Sequence, residues 1–162
     1  MTRLAYFAYG SNLNRRDMLV RCPDASPGTS ARLDGWRLTF RGVADIEPAE
    51  GRVVHGALWR LTAECVSSLD RYEGAPSLYR QRLIEVETDA GPLEAMTYVM
   101  TSGGYLGLPS EWYFGRIKAG YRDWSLSVVE LHRVLEENRQ ELAGRGVRNY
   151  RPDGRKRLKA VI

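Results

Sequence analysis

Two places in the 162-residue chain combine residue types and spacing that chemistry can use. The first is Tyr9-Gly10-Ser11-Asn12-Leu13, where an aromatic, apolar run ends in a glycine turn that leads into a helix. Backbone amides exposed by such a turn, backed by a helix N-terminus, favour a carboxylate or a developing oxyanion. The second is Glu73, which stands at the end of an expected helix and directly before Gly74. A carboxylate there meets the negative end of the helix dipole, which disfavours its ionised form. Burial among Tyr72, Tyr79 and other aromatics would act in the same direction. A carboxyl shifted toward neutrality can both accept and return a proton. Taken singly, each feature has a plainer reading: an ordinary turn, and a solvated glutamate at a helix end.

Other candidates carry less. His55 lies in an apolar strand as a packed or surface hydrogen-bonded residue, and His132 falls on a solvated helix face. Cys22 and Cys65 sit on the apolar sides of expected helices, where a small buried thiol is the default. Two cysteines without CxxC spacing and two histidines do not make a disulfide framework or a metal-ligand set, so no metal and no cofactor is expected. Ser67 and Ser68 lack the strand-turn-helix context of an activated nucleophile.

The elements that must hold these residues follow from pattern. Arg3 to Tyr9 reads as a buried strand. Asn14 to Cys22 reads as a short helix stopped by Pro23. Thr29 to Leu33 and Trp36 to Arg41 flank Asp34-Gly35 and are expected to form a hairpin. Val43 to Gly51 reads as loop, and Val53 to Leu61 as strand. Thr62 is the expected N-cap of a helix whose apolar stripe, Cys65, Val66, Leu69 and Tyr72, ends at Gly74. Tyr79 to Thr88 and Leu93 to Met100 form a second hairpin. Ser110 caps a helix running towards Gly120, and Ser125 caps another reaching about Ala143. Strands followed by two helices predict an α+β protein with a mixed or antiparallel sheet that is curved or closed into a small barrel.

Composition narrows the function classes. Hydrophobic residues make up 43% and charged residues 27%, which is enough apolar surface for one folded core. No apolar stretch approaches a membrane span, so a cytoplasmic, membrane-free protein is expected. The net charge of +4 is concentrated at the end: residues 145–162 hold seven cations and one acid. That leaves 17 cations against 19 anions, a net −2, on residues 1–144. The domain is therefore expected over 1–144, with 145–162 a solvated basic tail, and a nucleic-acid contact is disfavoured.

Considered together, Tyr9-Gly10-Ser11-Asn12-Leu13 and Leu69-Asp70-Arg71-Tyr72-Glu73-Gly74 resemble the γ-glutamylcyclotransferase family. The resemblance extends over most of residues 3 to about 135, including Tyr79, Tyr98 and Pro109-Ser110-Glu111-Trp112-Tyr113. It implies a small β-barrel with flanking helices and a cavity holding the glutamate. It implies Glu73 as catalytic acid/base, Tyr6, Phe7, Ala8, Tyr9, Gly10 and Ser11 as the substrate-binding turn, and Tyr98 as a substrate contact. The implied partner is a small γ-glutamyl substrate, and the implied reaction is release of 5-oxoproline by intramolecular aminolysis, without metal or protein nucleophile. Two alternatives stand beside it. One is removal of a γ-glutamyl group from a larger biosynthetic amine; the other is a noncatalytic ligand-binding protein whose basic tail associates with nucleic acid.

Overall fold

The computed structural model describes residues 3–101 and 105–145. Strand β1 (Leu4–Ala8) is followed by a 3-10 turn (Ser11–Leu13), helix α1 (Arg15–Arg21), and strands β2 (Ser26–Phe40) and β3 (Ala44–Leu61). Helix α2 (Ala63–Glu73), strands β4 (Tyr79–Thr88) and β5 (Gly91–Met100), and helices α3 (Glu111–Asp123) and α4 (Val128–Gly144) complete the order. The strands close into a barrel in the order β1-β3-β2-β4-β5. Its seam is parallel, with Tyr6 of β1 opposite Met96 of β5, and the other pairings are antiparallel. The α+β barrel expected from the sequence is thus present, in its mixed form.

The first hairpin lies elsewhere than the sequence predicts. Asp34-Gly35 does not turn the chain; β2 continues through it with a register shift between Asp34 and Trp36, and Gly35 takes φ +78°. A positive φ that suits a two-residue turn also suits a bulge, and the local dipeptide does not distinguish them. The reversal falls at Arg41-Gly42-Val43, where the Arg41 amide donates to the Val43 carbonyl at 2.8 Å and Gly42 takes φ +80°. Residues 44–51, expected as loop, are strand, with Leu38 opposite Ile46 and Trp36 opposite Pro48. Long-range pairing overrides the loop signal of Pro48 and Gly51. An ion-pair chain reinforces this arm: Arg37 and Arg41 both reach Glu47, and Arg37 also reaches Glu141 of α4. Buried Asn138 ties α4 down by accepting from the Thr39 hydroxyl at 3.0 Å and the Phe40 amide at 3.1 Å.

The helix caps agree with the sequence at three of four starts. Asn14 accepts from the Asp17 amide, Thr62 from Cys65 and Ser110 from Tyr113. The start of α4 is corrected: Ser127 is the cap, while Ser125 takes φ 55° and ends α3, its amide donating to the Arg122 carbonyl. Gly120 does not stop α3 either. A Cβ there would stand 2.6 Å from the Asn14 nitrogen and 2.6 Å from the Leu13 Cβ, so glycine lets α3 lie against the 3-10 turn. Of the expected basic tail only Arg145 is described; residues 146–162 lie outside the described part of the chain.

Candidate active site

The 3-10 turn after β1 is held from beneath by two tryptophans. Trp59 of β3 donates its indole N–H to the Asn12 carbonyl at 3.0 Å, and Trp124 donates to the Leu13 carbonyl at 2.8 Å. Their rings meet edge to face with centroids 5.5 Å apart. Carbonyls that a short turn leaves unpaired are thereby satisfied inside the protein. The side chain of Asn12, 3% exposed, is consequently fixed at the end of the barrel.

Helix α2 brings Glu73 to the same place. Its stripe buries Cys65 and Leu69, and Gly74 closes the helix in the left-handed conformation at φ 65°. Asn12 Nδ2 donates to Glu73 Oε1 at 3.0 Å and to the Tyr6 hydroxyl at 2.9 Å. Asn12 Oδ1 accepts from Arg21 Nη1 at 2.7 Å. The guanidinium of Arg21 lies 3.9 Å from the centre of the Tyr72 ring, and the Tyr72 hydroxyl is 3.4 Å from Ser11 Oγ.

Six tyrosines stand close enough to feel the Glu73 charge: Tyr6, Tyr9, Tyr72, Tyr79, Tyr98 and Tyr113. They arrive from β1, α2, β4, β5 and α3. Burial first, and the nearby carboxylate second or later, keep these phenols protonated well above neutral pH. Their hydroxyls are mostly committed: Tyr9 donates to the Tyr98 carbonyl at 2.6 Å, Tyr79 to the Ala44 carbonyl at 2.7 Å and Tyr98 to Asp70 Oδ1 at 2.7 Å. The Tyr113 hydroxyl accepts from the Ala44 amide at 3.0 Å.

As a residue Glu73 keeps partial exposure, but its carboxyl lies deep among these groups. Burial pushes its pKa up to about 7, against the lowering pull of the Arg21 charge and of the Asn12 hydrogen bond. The direction is the one the sequence suggests, and burial is the physical cause. A carboxyl balanced there exists as acid and base in similar amounts near neutral pH.

Of the residues the sequence singles out, Tyr6, Tyr9, Ser11 and Tyr98 gather with Glu73 around this site, and Gly10 opens the turn beside them. A Cβ on Gly10 would stand 3.0 Å from the Ala44 Cβ. Phe7 and Ala8 are fully buried. The Phe7 carbonyl accepts from the Thr97 hydroxyl at 2.8 Å, and Ala8 pairs with Ala57. Sequence reasoning did not single out Arg21 and treated Asn12 only as a turn or capping residue. Asp70, which receives both Tyr98 and Gln81 at 2.7 Å, appeared only as a motif letter. No local signal marks Arg21, which is nine residues from Asn12 and looks like an ordinary cation in a last helical turn.

The remaining candidates are apart from the site. Cys22 Sγ donates to the Cys65 carbonyl at 3.5 Å, and burial pushes the Cys22 thiol up to about 12, which leaves it protonated. His132 is exposed against the edge of Phe114, and exposed His55 lines a separate hollow of about 250 Å³ with Arg32, Glu87 and Asp89.

A family model described as "Gamma-glutamyl cyclotransferase, AIG2-like" matches residues 6–125, which include every residue of the cluster. The chain belongs to this family. The γ-glutamylcyclotransferase of Mus musculus is 35% identical over a 111-residue match that covers 60% of this chain and 59% of the mouse protein. That of Homo sapiens is 32% identical over the same shares. The match thus spans 59% of the length of these curated relatives. A solved structure described as a γ-glutamyl cyclotransferase superposes with a TM-score of 0.74 at 28% identity, covering 83% of this chain and 86% of that one. A structure of a human protein described as uncharacterised superposes with a TM-score of 0.75 at 27% identity, covering 83% and 87%.

Proposed function

We propose that the protein is a γ-glutamylcyclotransferase that releases 5-oxoproline from γ-glutamyl amides, with Glu73 as its proton carrier. The observation that carries this reading is the Glu73 carboxyl itself, buried to a pKa of about 7 and hydrogen-bonded to Asn12 beside the Gly10 turn. The curated relatives bear the name of that activity, which agrees with the reading.

The substrate's α-ammonium has no lone pair, so the Glu73 carboxylate first removes a proton from it. The freed amine attacks the γ-carbonyl carbon of the same molecule, forming the C–N bond of a five-membered lactam. The tetrahedral intermediate collapses by breaking the bond to the original amide nitrogen, and Glu73 returns the proton to that departing nitrogen. The net change is one C–N bond formed, one broken and one proton moved. Amides of the Gly10-Ser11 turn hold the substrate carboxylate or the oxyanion. The Tyr6 hydroxyl accepts from Asn12 and so keeps its own hydrogen for a substrate oxygen. Binding the γ-glutamyl chain in a curled form supplies the proximity that ring closure needs.

The test is 5-oxoproline formation by the purified protein from a panel of small γ-glutamyl amino acids and bulkier γ-glutamyl amines. Release from the small members supports the reading, and release confined to the bulky ones moves the assignment to deprotection of a larger amine. Binding without release from any member would overturn catalysis.

A further inference from the structure

We propose that Arg21 is a positioning residue for this site, holding the Asn12 carboxamide so that its Nδ2 faces Glu73 and Tyr6. The proposal rests on the reading of Glu73 as proton carrier only for its effect on turnover. Its geometric part stands on three contacts. A guanidinium offers donors and no acceptor, so the 2.7 Å contact from Nη1 must meet the carboxamide oxygen. With Oδ1 turned to Arg21, Nδ2 points the other way, and its two hydrogens meet the Tyr6 hydroxyl at 2.9 Å and Glu73 Oε1 at 3.0 Å. The Trp59 indole on the Asn12 carbonyl prevents the backbone from swinging to compensate.

Rotating the carboxamide by half a turn would set two like partners against each other twice. Oδ1 would face the carboxylate, and the amino group would face the guanidinium. Arg21 is itself held by its stack 3.9 Å from the centre of the Tyr72 ring, on the residue before Glu73. The arginine therefore links α1, the 3-10 turn and the end of α2 through one fork of donors.

A second consequence is electrostatic. The groups facing Glu73 are Tyr6 and Tyr9 of β1, Asn12 of the turn, Arg21 of α1, Tyr72 of α2, Tyr79 of β4, Tyr98 of β5 and Tyr113 of α3. The tyrosines are neutral at physiological pH, so Arg21 supplies the positive charge in this set and holds the carboxyl below the value burial alone would give. Without it, less of the carboxylate exists at neutral pH.

The test compares Arg21→Met, Arg21→Gln and Arg21→Lys with wild type in the full chain. The Glu73 carboxyl is titrated by NMR with carbon-labelled glutamate, its signal assigned from its loss in Glu73→Gln. The pH dependence of kcat/KM for 5-oxoproline release is measured in parallel. Removing the charge with Met or Gln is expected to raise the carboxyl midpoint by about 0.5 to 1 unit, toward the low end of what a neighbouring opposite charge produces. The acidic limb of kcat/KM should move with it, lowering turnover below the limb about three- to tenfold. Lys keeps the charge and a donor and should hold the midpoint near wild type. A folded Met variant with an unmoved midpoint would overturn the proposal. Should Met prevent folding, equal midpoints in Gln and Lys would do the same. A midpoint that moves while the kcat/KM limb stays put supports the role of Arg21 and removes Glu73 from the chemistry.

Discussion

The Asn12 carboxamide donates to Glu73 Oε1 at 3.0 Å across 61 residues of sequence, joining the turn after the first strand to the last residue of α2. The two halves of the family motif are therefore one physical object. The turn supplies a fixed donor, and the helix supplies a carboxyl whose remaining surroundings are phenols. This pairing makes the consequences of substitution specific.

Glu73→Gln keeps shape and hydrogen-bonding capacity but removes the base. Turnover should fall by about 10²- to 10⁴-fold, the usual span for a general acid–base group, while circular dichroism and ligand affinity stay close to wild type. Near-wild-type 5-oxoproline release by a folded variant would refute the role given to Glu73.

Stability should carry the opposite signature. The folded carboxyl, with its pKa raised from 4.5 to about 7, binds a proton more tightly than the unfolded chain does. Its favourable contribution is present below about pH 4.5 and is lost as pH rises through about 7. At roughly 1.4 kcal/mol per unit, ionising it costs on the order of 3 kcal/mol at pH 8. Urea denaturation should find Glu73→Gln more stable than wild type at pH 8 by about 2 to 3 kcal/mol, with little difference at pH 4. A gap that is constant between the two pH values would contradict the burial of the charge. The acidic limb of kcat/KM, governed by the same group, should lie near pH 7.

Asn12→Asp would exchange a donor for an acceptor in the one position that has both Glu73 and Tyr6 as clients. The new carboxylate would pair with Arg21 and repel Glu73, so the acidic limb should move to higher pH. A pH–rate profile that keeps its wild-type limb would show that the carboxamide does not tune the site.

Two glycines should respond in opposite ways to alanine. A Cβ at Gly56 would come within 2.3 Å of the Ala8 carbonyl oxygen and 2.6 Å of the Phe7 ring, at the strand pair that carries the Gly10 turn. Gly56→Ala should lose about 3 kcal/mol or more and activity with it. A Cβ at Gly115, inside α3, would meet nothing within 4 Å, and Gly115→Ala should add about 0.5 to 1 kcal/mol. Thermal melts of both variants decide the point, and equal shifts would be the wrong result.

Much of the framework was legible in the sequence because its signals are local. Thr62 and Gly74 bracket α2 through capping chemistry within a few residues, and that bracket alone puts Glu73 at a helix end. Gly10 after an apolar strand likewise announces a turn. Asp34-Gly35 misled because a positive φ at glycine is common to hairpins and bulges, and the choice belongs to the pairing of β2 with β3. Ser125 misled because a helix cap and the end of the preceding helix compete for neighbouring residues, and the backbone of α3 decided between them.

The sequence by itself determined which groups are on hand: one glutamate before a capping glycine, one turn with Ser11 and Asn12, and a surplus of tyrosines. Their meeting was decided by the closed barrel, which brings β1, β4 and β5 to the ends of α2 and α3. The raised pKa of Glu73 belongs to the same level, since desolvation depends on what surrounds the carboxyl rather than on its neighbours in the chain. So does the part played by Arg21, because a hydrogen bond spanning nine residues and a stack on an aromatic from another helix are made by packing, and propensities within a helical turn do not encode them.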